Sequence, residues 1–374
     1  MSVSYIPEKT KIILWGKSAG RCQFRGCNQK LYLDPLTKTE FNTSYIAHIV
    51  ADSPHGPRGC TERSEALKSD INNLMVLCDV HHRLIDKGDI VGHPEELLLE
   101  MKAEHEERIG IVGAISPDMT SHIVTYSANI GAHSPNVHYS TISKSLLPKF
   151  YPAQDSSINL GVVSSLNKDS DPDFWITETK SLQQKFDRLL FPKINDNEIK
   201  QISLFAFAPI PLLIYLGTLL NDITSVDVHQ KLRNPDTWSF QDDIQTEYHF
   251  VADEVKTNVA LKIELSDDIV DSRIASVLGN DTSIYSIRID NPNNDFVKSR
   301  KQIQDFGEKM KEAFREIKRI HGQDAVLNIF PSMPISLAVQ LGRVWMPKAD
   351  LSMKIFDQNK ELGGFVEAID ISHS

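Results

Sequence analysis

Four residues near the N-terminus have the types and spacing of a metal site. Cys22 and Cys27 are separated by four residues, and Cys78 and His81 by two, so two close pairs lie far apart in the chain. Together they offer the four thiolate and imidazole ligands of a closed tetrahedral zinc site. The pattern predicts one structural zinc ion, whereas Cys60 has no near partner and is interpreted as a free cysteine.

A second group of polar residues alternates with the first. His48 falls in one apolar stretch, Asn73 at the start of the next, and His82 directly beside His81. Adjacent residues of a helix point about 100° apart, so His82 turns away from the zinc side, and Asp86, four residues later, shares its face. An exposed histidine is the ordinary interpretation of any one of them, but their grouping around one metal-bound segment favours a functional site.

The elements that must position these groups are short. Residues 45–50 and 74–77 are apolar enough for strands, and residues 79–87 and 94–108 have the pattern of helices, after a first short helix at residues 7–15. The sequence therefore predicts a strand, a Pro/Gly-rich loop, a second strand and a helix. A domain this small and polar gains much of its folding free energy from metal binding.

Composition excludes several classes of protein. The chain has 374 residues, 41% of them hydrophobic and 24% charged, which excludes a disordered, collagen-like or disulfide-dependent protein. Its net charge is −10, but residues 1–68 hold ten Lys/Arg against six Asp/Glu. A locally positive region of this kind can bind DNA within an acidic protein.

No membrane segment is expected. The N-terminal residues lack the apolar core of a secretory signal, and the apolar residues 203–220 contain two prolines and a glycine, which favours a buried strand–turn–helix. We therefore expect an intracellular, cytoplasmic protein.

The remainder of the chain has the pattern of an α/β fold. Residues 111–160, rich in Ser, Asn, His and Pro and with short β-like pieces such as residues 122–126, are interpreted as a linker that grades into the second domain. Predicted strands at residues 259–265 and 284–289 alternate with helices, the clearest at residues 296–321, where apolar residues recur at helical spacing. This alternation predicts a largely parallel sheet.

The second domain contains an internal repeat. Residues 203–217 match residues 328–342 at six of fifteen positions: Phe205/Phe330, Pro209/Pro334, Ile210/Ile335, Leu212/Leu337, Leu216/Leu341 and Gly217/Gly342. Each copy places a proline turn between a strand and a helix, where the backbone N–H groups favour phosphate. A duplicated half-domain with a pocket for a pseudo-symmetric phosphate ester is expected, although two similar core elements could also match by chance.

The first 110 residues resemble the HNH (ββα-metal) nuclease family. The matching segments are CQFRGC (22–27), AHI (47–49), GPR (56–58), NLMVLC (73–78), HHRLID (81–86) and MKAEHE (101–106). The resemblance implies that His48 is the general base, that His82 holds one catalytic divalent ion, Mg²⁺, and that Asn73 orients the loop carrying His48. Many family members have Asp directly before the first His as a metal ligand, where this chain has Ala47. Asp86, substrate phosphate and water are the expected replacements.

The second domain resembles the SAVED module, a fused pair of CARF-like Rossmann halves. The matching segments are FAFAPIPLLIYLG (205–217), HQKLRNPDTW (229–238) and NIFPSMPISLAVQLGR (328–343). With the first domain, the arrangement resembles the HNH–SAVED effectors of bacterial CBASS antiphage defence. That resemblance implies a cyclic di- or trinucleotide activator, ligand-induced homo-oligomers and degradation of double-stranded DNA. The domains would be residues 1–112 and 113–374, with a linker near residues 111–120.

Ten residues are candidates for binding the activator. The proline turns would supply backbone donors, arginines would add charge, and an aromatic side chain could stack on a base, although core packing is an equal interpretation of the tryptophan. The candidates are Pro209, Ile210, Pro211, Tyr215, Arg233, Trp238, Ser332, Met333, Pro334 and Arg343.

Two other functions remain open. The chain could be a zinc-stapled DNA-binding regulator that senses a metabolite without cleaving DNA. Such a regulator needs none of His48, Asn73 and His82, and would require more Lys and Arg than residues 1–110 carry. Alternatively, the nuclease could be fused to an assembly domain that binds no small ligand.

Overall fold

The chain folds into two units, Met1–Ser116 and Pro117–Ser374. The computed structural model describes residues 5–130, 137–161, 171, 173–221, 224–241, 244–359 and 363–372. Each unit has its own hydrophobic core. Within these ranges, every helix is too short or too polar to cross a membrane.

The first unit is built around one antiparallel strand pair. Its elements are α1 (Glu8–Ser18), β1 (Ser44–His48), α2 (Ser64–Leu67), β2 (Leu74–Cys78), α3 (Asp79–Arg83) and α4 (Glu95–Gly113). In the pair, His48 lies opposite Leu74 and Ser44 opposite Cys78. β2 is buried along its whole length and packs with Leu14 and Leu98. The predicted order of strand, loop, strand and helix is confirmed.

Three predicted helices differ from those observed, the first because α1 continues through Gly16 to Ser18 instead of ending at residue 15. The helix expected at residues 79–87 is α3 followed by a π-helical turn, Leu84–Gly88. The helix expected to end at residue 108 continues to Gly113. It passes through Gly110, because a helix tolerates a single glycine in its interior. The connection between the units is therefore shorter than predicted.

The first part of the second unit forms a parallel sheet with the strand order β4-β3-β6-β7 and with β5 also paired to β3. The elements are β3 (Thr120–Ser127), α5 (Tyr139–Ile142), β4 (Tyr151–Pro152), β5 (Ile158–Asn159), α6 (Phe174–Lys185), α7 (Phe191–Asn195), β6 (Gln201–Phe207), α8 (Ile210–Leu220) and β7 (Ser225–Val228).

The second part of this unit forms a six-stranded sheet with the order β13-β12-β11-β9-β10-β8. The elements are β8 (His249–Val251), β9 (Asn258–Glu264), α9 (Asp271–Leu278), β10 (Thr282–Arg288), α10 (Arg300–His321), β11 (Val326–Ser332), α11 (Ile335–Val344), β12 (Ser352–Asn359) and β13 (Gly364–Ile371). Only the edge strands β8 and β13 are antiparallel to their neighbours. The predicted α/β fold with a largely parallel sheet is confirmed.

The linker predicted at residues 111–160 is much shorter in the structure, because the second unit begins at Pro117. The segment at residues 122–126, predicted as β-like, lies in β3, which pairs with β4, β5 and β6 inside the first sheet. Ser121 of β3 is completely buried and shares a hydrogen bond of 2.8 Å with Ser203 of β6. The paired hydroxyls make a polar residue acceptable in the core.

The longest helix begins later than its apolar pattern suggested. α10 starts at Arg300 rather than at residue 296, because Ser299 caps it. The Ser299 hydroxyl accepts from the Gln302 amide, and the Gln302 side chain accepts from the Ser299 amide at 3.0 Å. This capping box fixes the first residue of the helix.

The two copies of the internal repeat meet at equivalent residues. A Cβ atom on Gly217 would lie 2.1 Å from the Val339 carbonyl oxygen, and one on Gly342 would lie 1.9 Å from the Ile214 carbonyl oxygen. Gly217 and Gly342 are each the eighth residue of their helices, and Ile214 and Val339 are each the fifth. Such reciprocal contacts define a local two-fold axis between α8 and α11. The repeat is therefore a structural duplication.

The close crossing of α8 and α11 predicts that one methyl group added at Gly342 lowers stability strongly. Gly342→Ala should destabilise the second unit by about 3 kcal/mol, at the upper end of the usual cost of overpacking, because the methyl meets backbone rather than a movable side chain. Urea denaturation of the full chain measures this cost. Gly307→Ala is the matched control, since its methyl meets the side chains of Gln340 and Val344 rather than backbone. Equal stability of the two variants would contradict the close crossing.

Candidate active site and ligand site

The four predicted zinc ligands come together in the first unit. The ligand atoms of Cys22, Cys27, Cys78 and His81 all lie within 4.8 Å of one another. The Nδ1 atom of His81 lies 3.1 Å from the Cys78 Sγ and 3.7 Å from the Cys22 Sγ. Ligands of a tetrahedral zinc ion are separated by roughly 3.5–3.8 Å, given Zn–S and Zn–N bonds of about 2.3 and 2.0 Å. These side chains therefore could hold one zinc ion.

The surroundings of this cluster fix its ligands. The His81 ring stacks on Phe24, with ring centroids 4.1 Å apart. Gln23 joins the loop of the first pair to β2, because its amide N–H donates to the Val76 carbonyl and its side-chain oxygen accepts from the Val76 amide. Burial raises the pKa of the Cys22 thiol, so a neutral thiol is favoured unless a metal ion stabilises the thiolate.

His48 ends β1 and is buried. Its Nε2 lies 2.9 Å from the Lys68 carbonyl oxygen. A carbonyl oxygen can only accept, so Nε2 carries the hydrogen in this contact and Nδ1 of the neutral ring keeps its lone pair. The ring is thus held in the tautomer that a general base acting through Nδ1 requires.

Asn73 fixes the chain that follows His48. Its side-chain oxygen accepts from the Val50 amide at 2.8 Å, and its side-chain nitrogen donates to the carbonyls of Val50 and Leu67 at 2.8 and 3.1 Å. Val50 lies two residues after His48, and Leu67 precedes the residue that binds His48. The buried amide therefore supports both sides of His48, in agreement with the orienting role that the resemblance implies.

His82 and Asp86 lie together on the segment that follows β2. The His82 Nε2 is 3.4 Å from the Asp86 Oδ2, and the His82 ring stacks on Tyr45 of β1 with centroids 4.9 Å apart. Burial lowers the pKa of His82, although Asp86 opposes the shift. A neutral imidazole beside a carboxylate is a suitable pair of ligands for a divalent ion.

Ala47 supplies no carboxylate to this pair, at the position where the sequence resemblance implied an aspartate. It is buried and lies opposite Met75 in the strand pair. Within the described ranges, His82 and Asp86 belong to no group of three or more potential metal ligands. Mg²⁺ commonly binds through one or two protein ligands and keeps several waters or substrate oxygens, so two ligands fit such an ion.

In the second unit, the proline turns end the strands β6 and β11 and begin α8 and α11. The predicted turn residues all lie at these two junctions: Pro209, Ile210, Pro211, Ser332, Met333 and Pro334. Fewer backbone donors are free there than expected. Pro211 has no N–H, and the amide and hydroxyl of Ser336 both donate to the buried Gln230 side chain, at 3.1 and 2.7 Å.

Three further candidates make contacts within the protein. Trp238 is buried and meets Phe205 edge-on at 5.4 Å, so the alternative of core packing is correct and its ring offers no open stacking face. The Tyr215 hydroxyl donates to the Gln183 side chain at 2.8 Å. Arg233 lies on an exposed loop, where its backbone amide donates to Asp295.

Arg343 lies away from the proline turns. It is nine residues after Pro334, roughly 13 Å along the helix, and its guanidinium donates to the Val226 carbonyl at 3.3 Å. It lines a separate cavity of about 250 Å³ with Lys149, Asp227 and Arg300, among others. Burial raises the pKa of Asp227, but its contacts with His229, Arg300 and Lys149 outweigh burial and hold that pKa well below its usual range.

Comparison with known families identifies the second unit. The family model of SAVED, the "SMODS-associated and fused to various effectors sensor domain", matches residues 182–371, about half of the chain. The chain belongs to the SAVED family. The matched residues include both proline turns, α8, α11 and the loop with Gln230, and the SAVED resemblance of the sequence is confirmed.

Solved structures of SAVED/CARF-domain containing receptors are similar to this SAVED protein. The Cap4 receptor of Acinetobacter baumannii with the cyclic trinucleotide 2′3′3′-cAAA is 13% identical, with a TM-score of 0.44 over 83% of this chain and 66% of that one. The Cap4 receptor of Moraxella osloensis is 11% identical, with a TM-score of 0.41 over 76% and 64%. The chain thus spans less than two thirds of either receptor. No curated protein matches it.

Proposed function

We propose that the protein is a metal-dependent DNA endonuclease that a cyclic oligonucleotide activates through the SAVED region. The observation that carries the nuclease part is the environment of His48. A buried histidine whose Nε2 donates to a backbone carbonyl, and whose neighbours are held by Asn73, is prepared to accept a proton at Nδ1.

In the proposed reaction, His48 removes the proton of the water that attacks the scissile phosphodiester of double-stranded DNA. His82 and Asp86 would hold one divalent ion, Mg²⁺ in the cell. When bound, that ion neutralises charge on the phosphate and on the leaving oxygen. Asn73 keeps the residues after His48 in place during the reaction.

The zinc ion is proposed as a structural element of the first unit. Cys22, Cys27, Cys78 and His81 fill a tetrahedral site, so no position is left for substrate. Because Cys78 and His81 flank the start of α3, their coordination also fixes the direction of His82 one residue later.

The sensor part of the proposal rests on the family. SAVED is described as a sensor domain, and the A. baumannii receptor carries a cyclic trinucleotide. We propose that a cyclic tri- or dinucleotide binds this chain near the two proline turns, and that binding promotes homo-oligomers in which the nuclease is active. The local two-fold axis between α8 and α11 suits a ligand with repeated phosphates. The biological role would be antiphage defence of the CBASS type in the bacterial cytoplasm.

Plasmid cleavage tests this function. The purified full chain is incubated with supercoiled plasmid and Mg²⁺, with or without 2′3′3′-cAAA, 3′3′3′-cAAA or a set of cyclic dinucleotides. We expect linear and fragmented DNA with at least one of these nucleotides and little cleavage without any. DNA binding without cleavage under every condition would instead support the zinc-stapled regulator.

A further inference from the structure

Arg58 contacts both segments that carry the candidate catalytic residues. Its Nε donates to the Ile49 carbonyl at 2.6 Å, one Nη donates to the Ile85 carbonyl at 2.7 Å, and the other donates to the Asp86 carboxylate at 2.9 Å. Ile49 directly follows His48, and Ile85 and Asp86 follow His82. The guanidinium of Arg58 thus links the residue after His48 with the segment that carries His82 and Asp86.

The burial and backbone conformation of Arg58 are both energetically unfavourable. The Arg58 side chain is only 7% exposed, so its charge is removed from water. Its φ of 56° lies in the left-handed region, which a non-glycine residue adopts only where surrounding contacts impose it. Buried charge and an unfavourable backbone conformation at one residue beside a reactive site indicate selection for function rather than for stability alone.

We propose that Arg58 is a positioning residue, which sets the Asp86 carboxylate beside His82 and holds that pair at a fixed place relative to His48. The inference rests on the proposed nuclease function. Asp86 presents one oxygen to Arg58 and the other toward His82, 3.4 Å from its Nε2. Among the interactions of the described residues, the Asp86 carboxylate contacts the Arg58 guanidinium at 2.9 Å and, more loosely, His82 at 3.4 Å.

Lysine cannot replace this arginine. Three acceptors each take a different nitrogen of the guanidinium, and the His93 carbonyl lies 3.5 Å from the Nη that donates to Ile85. An ammonium group is a compact donor on a flexible stem and cannot direct hydrogen bonds to all three positions. Arg58→Lys therefore keeps the charge but loses the geometry, whereas Arg58→Met loses both.

Mn²⁺ binding distinguishes a positioning role of Arg58 from an effect of its positive charge alone. Titration of the full chain with Mn²⁺, with its zinc retained, should give a 10–100-fold weaker dissociation constant in Arg58→Lys and in Arg58→Met, as is usual when a group that orients metal ligands is lost. A purely electrostatic role predicts the reverse for Arg58→Met, because removing a nearby cation favours binding of another cation. Arg63→Met is the matched control, since Arg63 pairs with Glu95 at an exposed position.

Cleavage kinetics provide the second readout. In Arg58→Lys, we expect a higher Mn²⁺ concentration for half-maximal cleavage at wild-type zinc content, with a melting temperature lowered by the carbonyls that lysine leaves unpaired. Unchanged or tighter Mn²⁺ binding in Arg58→Lys, if folded, would overturn the positioning role. If Arg58→Lys fails to fold, normal Mn²⁺ binding by Asp86→Asn would overturn it. A wild type that binds Mn²⁺ but never cleaves DNA would refute only the nuclease, while one that binds no Mn²⁺ would refute both proposals.

Discussion

Replacing His48 with alanine is expected to reduce DNA cleavage by at least about 10²-fold, the lower end of the contribution of a general base. The loss follows because His48 is the proposed acceptor of the proton of the attacking water. DNA affinity, zinc content and Mn²⁺ binding should remain close to the wild-type values. Cleavage rates measured with saturating activator and Mg²⁺, beside a DNA-binding assay, test this expectation.

The structure adds a control to this experiment. His48 also donates to the Lys68 carbonyl, so His48→Ala leaves that oxygen without its partner and could loosen the chain locally. His48→Gln keeps a side-chain donor but provides no base, and we expect it to be as inactive as His48→Ala. Wild-type cleavage by either variant would contradict the proposed mechanism, and His82→Ala should be inactive through loss of the divalent ion.

Removing a zinc ligand is expected to unfold the first unit. Metal analysis of the wild type should find about one zinc ion per chain, and Cys22→Ala or Cys78→Ala should lose it. Structural zinc contributes about 10–16 kcal/mol of binding free energy in small zinc domains, more than a core of this size supplies by itself. Both cysteines are also members of the hydrophobic core of this unit. Circular dichroism and limited proteolysis measure the unfolding.

Cys60→Ala is the control for this prediction. Cys60 lies outside the cluster of four ligands, and its backbone N–H donates to the Ser64 hydroxyl, a contact that alanine keeps. Its variant should therefore retain zinc and cleavage. If Cys22→Ala and Cys78→Ala both kept one zinc ion and a folded first unit, the assignment of the zinc site would be wrong.

Much of the first unit could be predicted because its signals are local. The two close ligand pairs, the apolar run of β2 and the adjacent histidines each lie within a few residues, and the structure brings the four ligand atoms within 4.8 Å of one another. The internal repeat was equally visible, since identical glycines at equivalent positions are needed where α8 and α11 cross. These features follow from spacing alone.

Contacts between distant residues could not be predicted. Arg58 belongs to the GPR motif at residues 56–58, but its acceptors at Ile85 and Asp86 come close to it only in the folded chain. The same holds for Gln230, which contacts the start of α11 more than a hundred residues later and uses donors that we had expected to be free. The burial of Ser121 in β3 could not be predicted for a related reason, because its hydrogen-bond partner, Ser203, lies on another strand.

Light scattering and plasmid cleavage, recorded on one sample during titration with a cyclic oligonucleotide, test most directly whether the SAVED region switches a nuclease. A ligand can promote assembly only if it binds the assembled form more tightly, so mass and cleavage should rise together at the same ligand concentration. We predict a monomer or small oligomer with little activity before addition, and a larger, active species after it. Full cleavage without ligand, with no change in mass for any cyclic nucleotide, would contradict this account.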